Sequence, residues 1–212
     1  MEEVIGEYRD SLYKISQNQL KNCKVFSDRY IALKELIPNH IDYLEIGVLA
    51  GDYTEVVLMN KDVKSATLLD TFKMYDWARK EPQRFTEDGH LDFIKNRFKH
   101  YENVFLEIGN SIDLLPLKEK KFDYIYIDAD HRFKYIHNDL LKSISMCRPN
   151  AIVGINDFML TPKRFQNEDR DADVWSVTNM VCQFLRYNQN WEIIGLALDD
   201  SGIFDVYLKQ QL

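Results

Sequence analysis

The run Ile41–Leu58, IDYLEIGVLAGDYTEVVL, constrains the fold of this chain more than any other stretch. Ile41, Tyr43, Leu44, Ile46 and Val48 read as a buried strand, Gly47 and Gly51 as a tight turn, and Thr54 to Leu58 as the start of a helix. A strand that passes through a glycine turn into a helix is the unit of an α/β sheet. Such a turn sets free amide donors and a helix N-terminus beside any bound small molecule. The spacing Glu45-x-Gly47-x-x-x-Gly51 differs from the G-x-G-x-x-G turn that grips a dinucleotide pyrophosphate. It points away from NAD and toward a cofactor without phosphates. The bland alternative is a glycine turn that binds nothing, which occurs in many α/β proteins.

The same alternation continues downstream. Lys64–Leu69, Val104–Ile108, Phe122–Ile127 and Ala151–Ile155 read as further strands, with helical spacing in Phe72–Tyr101, in a turn closing at Leu114-Leu115-Pro116, and in Arg132–Met146. Strands alternating with helices predict a parallel sheet with helices on both faces. The end of the chain departs from this. After a helix over Val174–Tyr187, Trp191–Leu198 and Ile203–Leu208 are joined by Asp199-Asp200-Ser201-Gly202, too short a connection for anything but an antiparallel pair. The expected fold is therefore α/β, a Rossmann-like parallel sheet that finishes in an antiparallel hairpin. Residues 1–38 read as a helical cover over one face, and the polar, Pro-started segment 161–173 as a candidate lid.

With 212 residues, 45% of them hydrophobic, the chain has material for one large domain over 1–212. A net charge of −7 with both signs interspersed offers no basic stripe for nucleic acid. No run reaches the roughly 18 apolar residues of a membrane span, and the charged N-terminus MEEVIGEYRDSLYK does not read as a signal peptide. A cytoplasmic location is expected. Cys23, Cys147 and Cys182 lack metal-ligand spacing and read as reduced thiols. The sequence leaves a homo-oligomer open.

Ligands of open α/β sheets bind outside the carboxyl ends of the strands. Those ends carry Glu45 and Gly47, then Asp70, then Gly109-Asn110-Ser111, then Asp128-Ala129-Asp130-His131, then Asn156-Asp157. Asp70 follows Gly47 at roughly the twenty-residue spacing of an acid that accepts both ribose hydroxyls, its alternative being a solvated turn or cap. Asn110 and Ser111 suit an adenine edge or a helix cap equally. Asp128, Asp130 and His131, with Asp157 on the neighbouring strand, can hold a hard cation such as Mg²⁺ and place a base beside it. Alternatively Asp128 and Asp130 cap the following helix. His137 reads as surface or packing, and His40, His90 and His100 as loop or surface histidines. Aromatics after Asp70 (Phe72, Tyr75, Trp77) and near the candidate lid (Phe158, Phe165, Trp175) can wall a ligand, or simply face the core.

In order along residues 25–210, the segments LEIGVLAG, LLDTF, IGNSIDLLP, FDYIYIDADHRFKYIHNDL, GINDF and the closing hairpin make the chain resemble the class I S-adenosylmethionine-dependent methyltransferases. It is most similar to the small O-methyltransferases of the macrocin and catechol/caffeoyl-CoA type. The resemblance implies the class I methyltransferase fold, with Glu45, Gly47 and Gly51 on the methionine part of S-adenosylmethionine, Asp70 on its ribose, and Asn110 and Ser111 near its adenine. It implies Asp128 beside the cofactor and, with Asp157, on a divalent cation, and His131 as general base. Tyr53 stands where a serine often meets the cofactor carboxylate, so that role passes to Thr54 or to backbone amides. Phe158 stands where catechol-type relatives carry an asparagine ligand, and Asn156 precedes Asp157 instead. The implied reaction is methylation of a hydroxyl on a small-molecule acceptor such as a sugar, phenol or catechol. An adenosyl-binding protein without methyl transfer and an oxidoreductase on a related sheet are the competing expectations.

Overall fold

The computed structural model describes residues 14–73, 89–111, 117, 119–158, 171–198 and 203–211. The expected helical turn at 114–116, the aromatics Tyr75 and Trp77, most of the candidate lid 161–173, and residues 1–13 of the N-terminal cover lie outside the described residues.

Eight strands form one sheet. In chain order these are β1 (Lys24–Phe26), β2 (Ile41–Ile46), β3 (Val63–Asp70), β4 (Val104–Ile108), β5 (Phe122–Ile127), β6 (Cys147–Phe158), β7 (Trp191–Leu198) and β8 (Phe204–Gln210). The described helices are α1 (Arg29–Leu36), α2 (Asp52–Asn60), α3 (Gly89–Phe98), α4 (Phe133–Ser145) and α5 (Asp171–Tyr187). Across the sheet the order is β1-β7-β8-β6-β5-β2-β3-β4. Every pair is parallel except β6 with β8 and β7 with β8, so β8 alone runs against the rest. The expected α/β sheet with its antiparallel hairpin is what forms.

The two faces differ in chemistry. Leu44, Ile46, Ile125, Ile127, Val153 and Ile155 point into an aliphatic layer closed by Val177, Val181 and Leu185 of α5. The alternate positions Tyr43, Tyr124 and Tyr126, with Tyr207, face a second layer completed by Leu33, Val57, Ile94 and Phe98 of α1, α2 and α3. Strands covered on both faces need no polar side, and β2 and β5 are buried along their length except at Asp42 and Asp123. Three of these four hydroxyls have partners inside: Tyr43 donates to Glu45 at 2.6 Å, Tyr124 meets Tyr53 oxygen to oxygen at 2.6 Å, and Tyr126 donates to Asp205 at 2.8 Å.

The N-terminal region differs from the all-helical expectation. Within residues 1–38, a short 3-10 turn (Asn18–Leu20) and the edge strand β1 precede α1, and β1 pairs in parallel with β7. Asp28 caps α1 by accepting from the amides of Tyr30 and Ile31, each at 2.8 Å.

Candidate active site

The glycine turn after β2 is built by its neighbours. Gly47 donates to the Leu69 carbonyl at 2.9 Å, and Asp128 donates to the Ile46 carbonyl at 2.8 Å, so the turn is pinned between the ends of β3 and β5. The approach is closest at Gly47, where an added Cβ would lie 2.2 Å from the carbonyl oxygen of Asp128, and where φ is +86°. Gly51, at φ +77°, starts α2 with the Phe98 ring against it. Both glycines therefore answer to packing by the protein's own chain.

Asp70 closes the turn from the other side. One carboxylate oxygen accepts from Val48 at 2.8 Å and the other from Phe72 at 2.8 Å. Leu49 and Phe72, at φ +46° and +51°, hold left-handed backbone beside it. Such strain persists where surrounding bonds over-determine it, and it clusters at binding sites.

These loops wall a cavity of about 540 Å³, lined by Gly47, Asp70, Asn110, Ser111, Asp128 and Tyr135 among others. That volume is in the range of small-molecule sites. Six of the residues marked out by the sequence, Asp130 included, thus line one cavity. Glu45, Gly51 and Thr54 do not line it. Glu45 is 2% exposed and accepts from the hydroxyls of Tyr43, at 2.6 Å, and Thr54. Burial pushes its carboxyl up to about 8 against the pull of those two hydrogen bonds.

His131 and Asp157 do not line the cavity either, and meet next to its Asp128 wall. His131 Nδ1 donates to Asp157 at 3.0 Å, while its Nε2 lies 3.7 Å from Asp128 and is buried without a hydrogen-bond partner. Burial works against a charged imidazole here, but the hydrogen bond and charge of Asp157, with Asp128 and Asp130, outweigh it and raise its pKa. Burial also raises the Asp128 carboxyl, and the neighbouring Asp157 and Asp205 add to this against His131 and Arg29. Neither Asp128 nor Asp130 caps α4, whose N-cap is Arg132 with no side-chain cap. Asp130 instead accepts from the Arg132 amide and pairs with its guanidinium at 3.0 Å.

The donors around His131 do not fit a divalent cation. Mg²⁺ demands near-octahedral oxygen donors. Here an imidazole stands between the two carboxylates, Phe158 is buried in the aliphatic layer, and the Asn156 amide is turned away to Asp205 at 2.9 Å. Among the described residues no three His, Cys, Asp or Glu side chains are grouped to hold a metal.

A family profile described as a methyltransferase domain matches residues 44–158, a span that contains the glycine turn, the cavity wall, His131 and Asp157. The chain belongs to this methyltransferase family. No curated protein sequence matches it. Among solved structures, a candidate caffeoyl-CoA O-methyltransferase from Staphylococcus aureus is similar in fold, with a TM-score of 0.62 and 14% identity over 99% of this chain and 91% of that one. An O-methyltransferase from Bacillus cereus solved with SAH gives a TM-score of 0.60 and 15% identity, covering 99% and 88% of the two chains. The N-methyltransferase NodS from Bradyrhizobium japonicum gives 0.56 and 13%, covering 87% and 95%.

Two supports of the methyltransferase's glycine turn escape the sequence patterns. His90, read as a loop or surface histidine, is 2% exposed and donates Nε2 to the Leu49 carbonyl at 2.5 Å. Its helix partner Arg97 donates to the Ala50 carbonyl at 2.6 Å and pairs with Asp52 and Glu55 at the start of α2. Helical spacing of His90, Ile94 and Arg97 along one stripe of α3 is the pattern that marks this face. Asp139, wholly buried on α4 beside Ser111 and away from the turn, also escapes the patterns; burial pushes its carboxyl up to about 6 against Ser111 and Lys142. Among the described residues no helix is long and apolar enough to cross a membrane.

Proposed function

We propose that this methyltransferase moves a methyl group from S-adenosylmethionine to a hydroxyl of a small-molecule acceptor, with His131 taking the hydroxyl proton. One observation carries the reading: His131 is held by Asp157 through Nδ1 at 3.0 Å, and its Nε2, without a hydrogen-bond partner, stands beside the cavity wall at Asp128. A base whose far nitrogen is fixed by a carboxylate and whose near nitrogen is unbonded is set for one proton transfer. The B. cereus relative solved with SAH, the demethylated form of that donor, supports the choice of cofactor.

S-adenosylmethionine, when bound, supplies an electrophilic methyl on a sulfonium. The chain's residues bind and orient. Asp70, whose oxygens accept from the amides of Val48, Leu49 and Phe72 and from the Thr71 hydroxyl, lines the cavity where it takes the ribose hydroxyls, with the longer bonds from Leu49 and Thr71, both 3.4 Å, the ones to give way. Asn110 and Ser111 face the adenine edge, and the acids Asp128 and Asp130 suit a cationic donor. Glu45, Gly51 and Thr54 shape the turn from beneath. Holding donor and acceptor in line is itself a large part of catalysis. No step is assigned to a cation, because the donor set does not fit one.

Calorimetry with S-adenosylmethionine, followed by a screen of sugar, phenol and catechol acceptors with and without EDTA, tests this. Binding is expected, with turnover indifferent to EDTA. His131→Ala is expected to bind the donor as the parent does and to lose roughly 10²–10⁴ in rate. Failure to bind the donor, or full turnover by His131→Ala, overturns the reading.

A further inference from the structure

The sheet breaks its register at one place beside the site. Ile155 pairs with Val206 and Phe158 with Phe204, so Asn156 and Asp157 of β6 stand opposite the single residue Asp205 of β8. Two residues facing one is a β-bulge, a device that re-aims side chains next to active sites. Its effect is visible in the faces. Ile155 and Phe158 both enter the aliphatic layer, which strict alternation forbids to residues three apart. Asn156 turns to the tyrosine side and donates Nδ2 to Asp205 at 2.9 Å. Asp157 is left between them at φ +61° and gives its carboxylate to His131 Nδ1.

Left-handed backbone at an aspartate costs free energy and needs external restraint. Asp205 is placed to supply it. It is 1% exposed on β8, with one oxygen on Asn156 and the other accepting from the Tyr126 hydroxyl at 2.8 Å. Arg29, the first residue of α1, balances its charge, with Nε 3.6 Å from the carboxylate and Nη1 donating to the Tyr126 oxygen at 3.3 Å. A buried carboxylate so paired and bonded is rigid.

We propose that Asp205 is a positioning residue for the proton transfer: by gripping Asn156 it fixes the bulge that presents Asp157 to His131 Nδ1. The inference rests on His131 being the base, and it extends that reading to three residues that the site's cavity does not touch. Through Asp205, the orientation of the base depends on α1, far away in sequence. Asn156→Ala cuts the grip and leaves Asp205 with Tyr126 and Arg29, so the fold keeps its buried ion pair. Asp205→Asn keeps an oxygen for Asn156 and preserves the grip, whereas Asp205→Ala removes it.

The test uses the whole protein labelled with ¹⁵N-histidine at a pH where the imidazoles are neutral, and reads the tautomer of each of the five histidines. His131 is assigned by its loss in His131→Gln. A single Nδ1-protonated tautomer is expected in the parent and in Asp205→Asn, and a mixture of tautomers in Asn156→Ala and Asp205→Ala. The dissociation constant for S-adenosylmethionine is expected to stay within about twofold, because each variant leaves the cavity wall in place. An unchanged His131 signal in both alanine variants overturns the inference, as does a mixture in Asp205→Asn or loss of donor binding in Asn156→Ala. Full turnover by His131→Ala instead overturns the assignment of the base while leaving the tautomer result standing.

Discussion

Gly47 offers a quantitative check of how the site is assembled, because Gly89 separates the two costs of replacing it. Both glycines are left-handed, at φ +86° and +83°. Alanine in that conformation costs about 1–2 kcal/mol. At Gly89 a new Cβ meets nothing within 4 Å, so Gly89→Ala is expected to stop at that figure. At Gly47 the Cβ would lie 2.2 Å from the Asp128 oxygen, 2.6 Å from its carbonyl carbon and 2.7 Å from the Ala129 Cα. All three are backbone atoms, held by the Asp128 amide on Ile46, and cannot rotate aside. Overpacking of this kind adds about 1–3 kcal/mol. Gly47→Ala is therefore expected to cost about 2–5 kcal/mol in total. Urea unfolding of both variants and the parent at neutral pH measures the difference. Equal losses, within about 0.5 kcal/mol, would refute the claim that close approach of β5, rather than backbone conformation alone, demands glycine here. Gly47→Ala should also weaken S-adenosylmethionine binding, since Asp128 must move, whereas Gly89→Ala should not.

The Glu45 carboxyl, raised by burial to about 8, binds a proton more tightly folded than unfolded, so stability is expected to fall as pH rises from about 4.5 to about 8. Glu45→Gln, uncharged throughout, should flatten that slope by a few kcal/mol in urea unfolding at pH 5 and pH 9; parallel curves would refute the burial of an ionisable group there. Arg97→Ala is expected to lose about 1–3 kcal/mol, because it frees the Ala50 carbonyl and both acids of α2, and to raise the donor's dissociation constant. An unchanged constant by calorimetry would detach α3 from the turn. Asp28→Ala removes the double cap of α1 and is expected to cost about 1 kcal/mol by thermal unfolding.

The parts legible in the sequence are those where burial enforces a period. β5 and β7 fall at the residues the pattern gives, because their faces are apolar and the neighbouring turns are polar; β4 falls there too, although none of its residues is buried. The strand β1 is three residues long and lies in a segment with helical spacing, so no period betrays it. β6 begins earlier than the apolar run AIVGI, since Cys147 already pairs with Phe122 while Arg148, Pro149 and Asn150 carry no strand pattern. At the site, the strand-end rule finds Asp70, Asp128, His131 and Asp157. It does not see that Glu45 and Thr54 bond each other below the turn, or that His90 anchors Leu49. The second joins residues far apart in sequence, and the first, though it joins consecutive elements, depends on how the helix packs over the strand, which no residue period records.

The reversed course of β8 has a consequence for how this rim can change. In seven strands the residues that reach the rim are the last of the strand, carried there by the ladder behind them. In β8 the residues at the rim are the first, so Asp205 arrives fresh from the connection after Leu198. A one-residue insertion or deletion in that connection, when it passes into the ladder instead of being taken up by the loop, shifts β8 by one register and turns Asp205 to the opposite face. The spacing between Leu198 and Phe204 is thus tied, through Asp205 and Asn156, to the neighbour of the Asp157 that bonds His131, with every residue of the cavity wall left as it is.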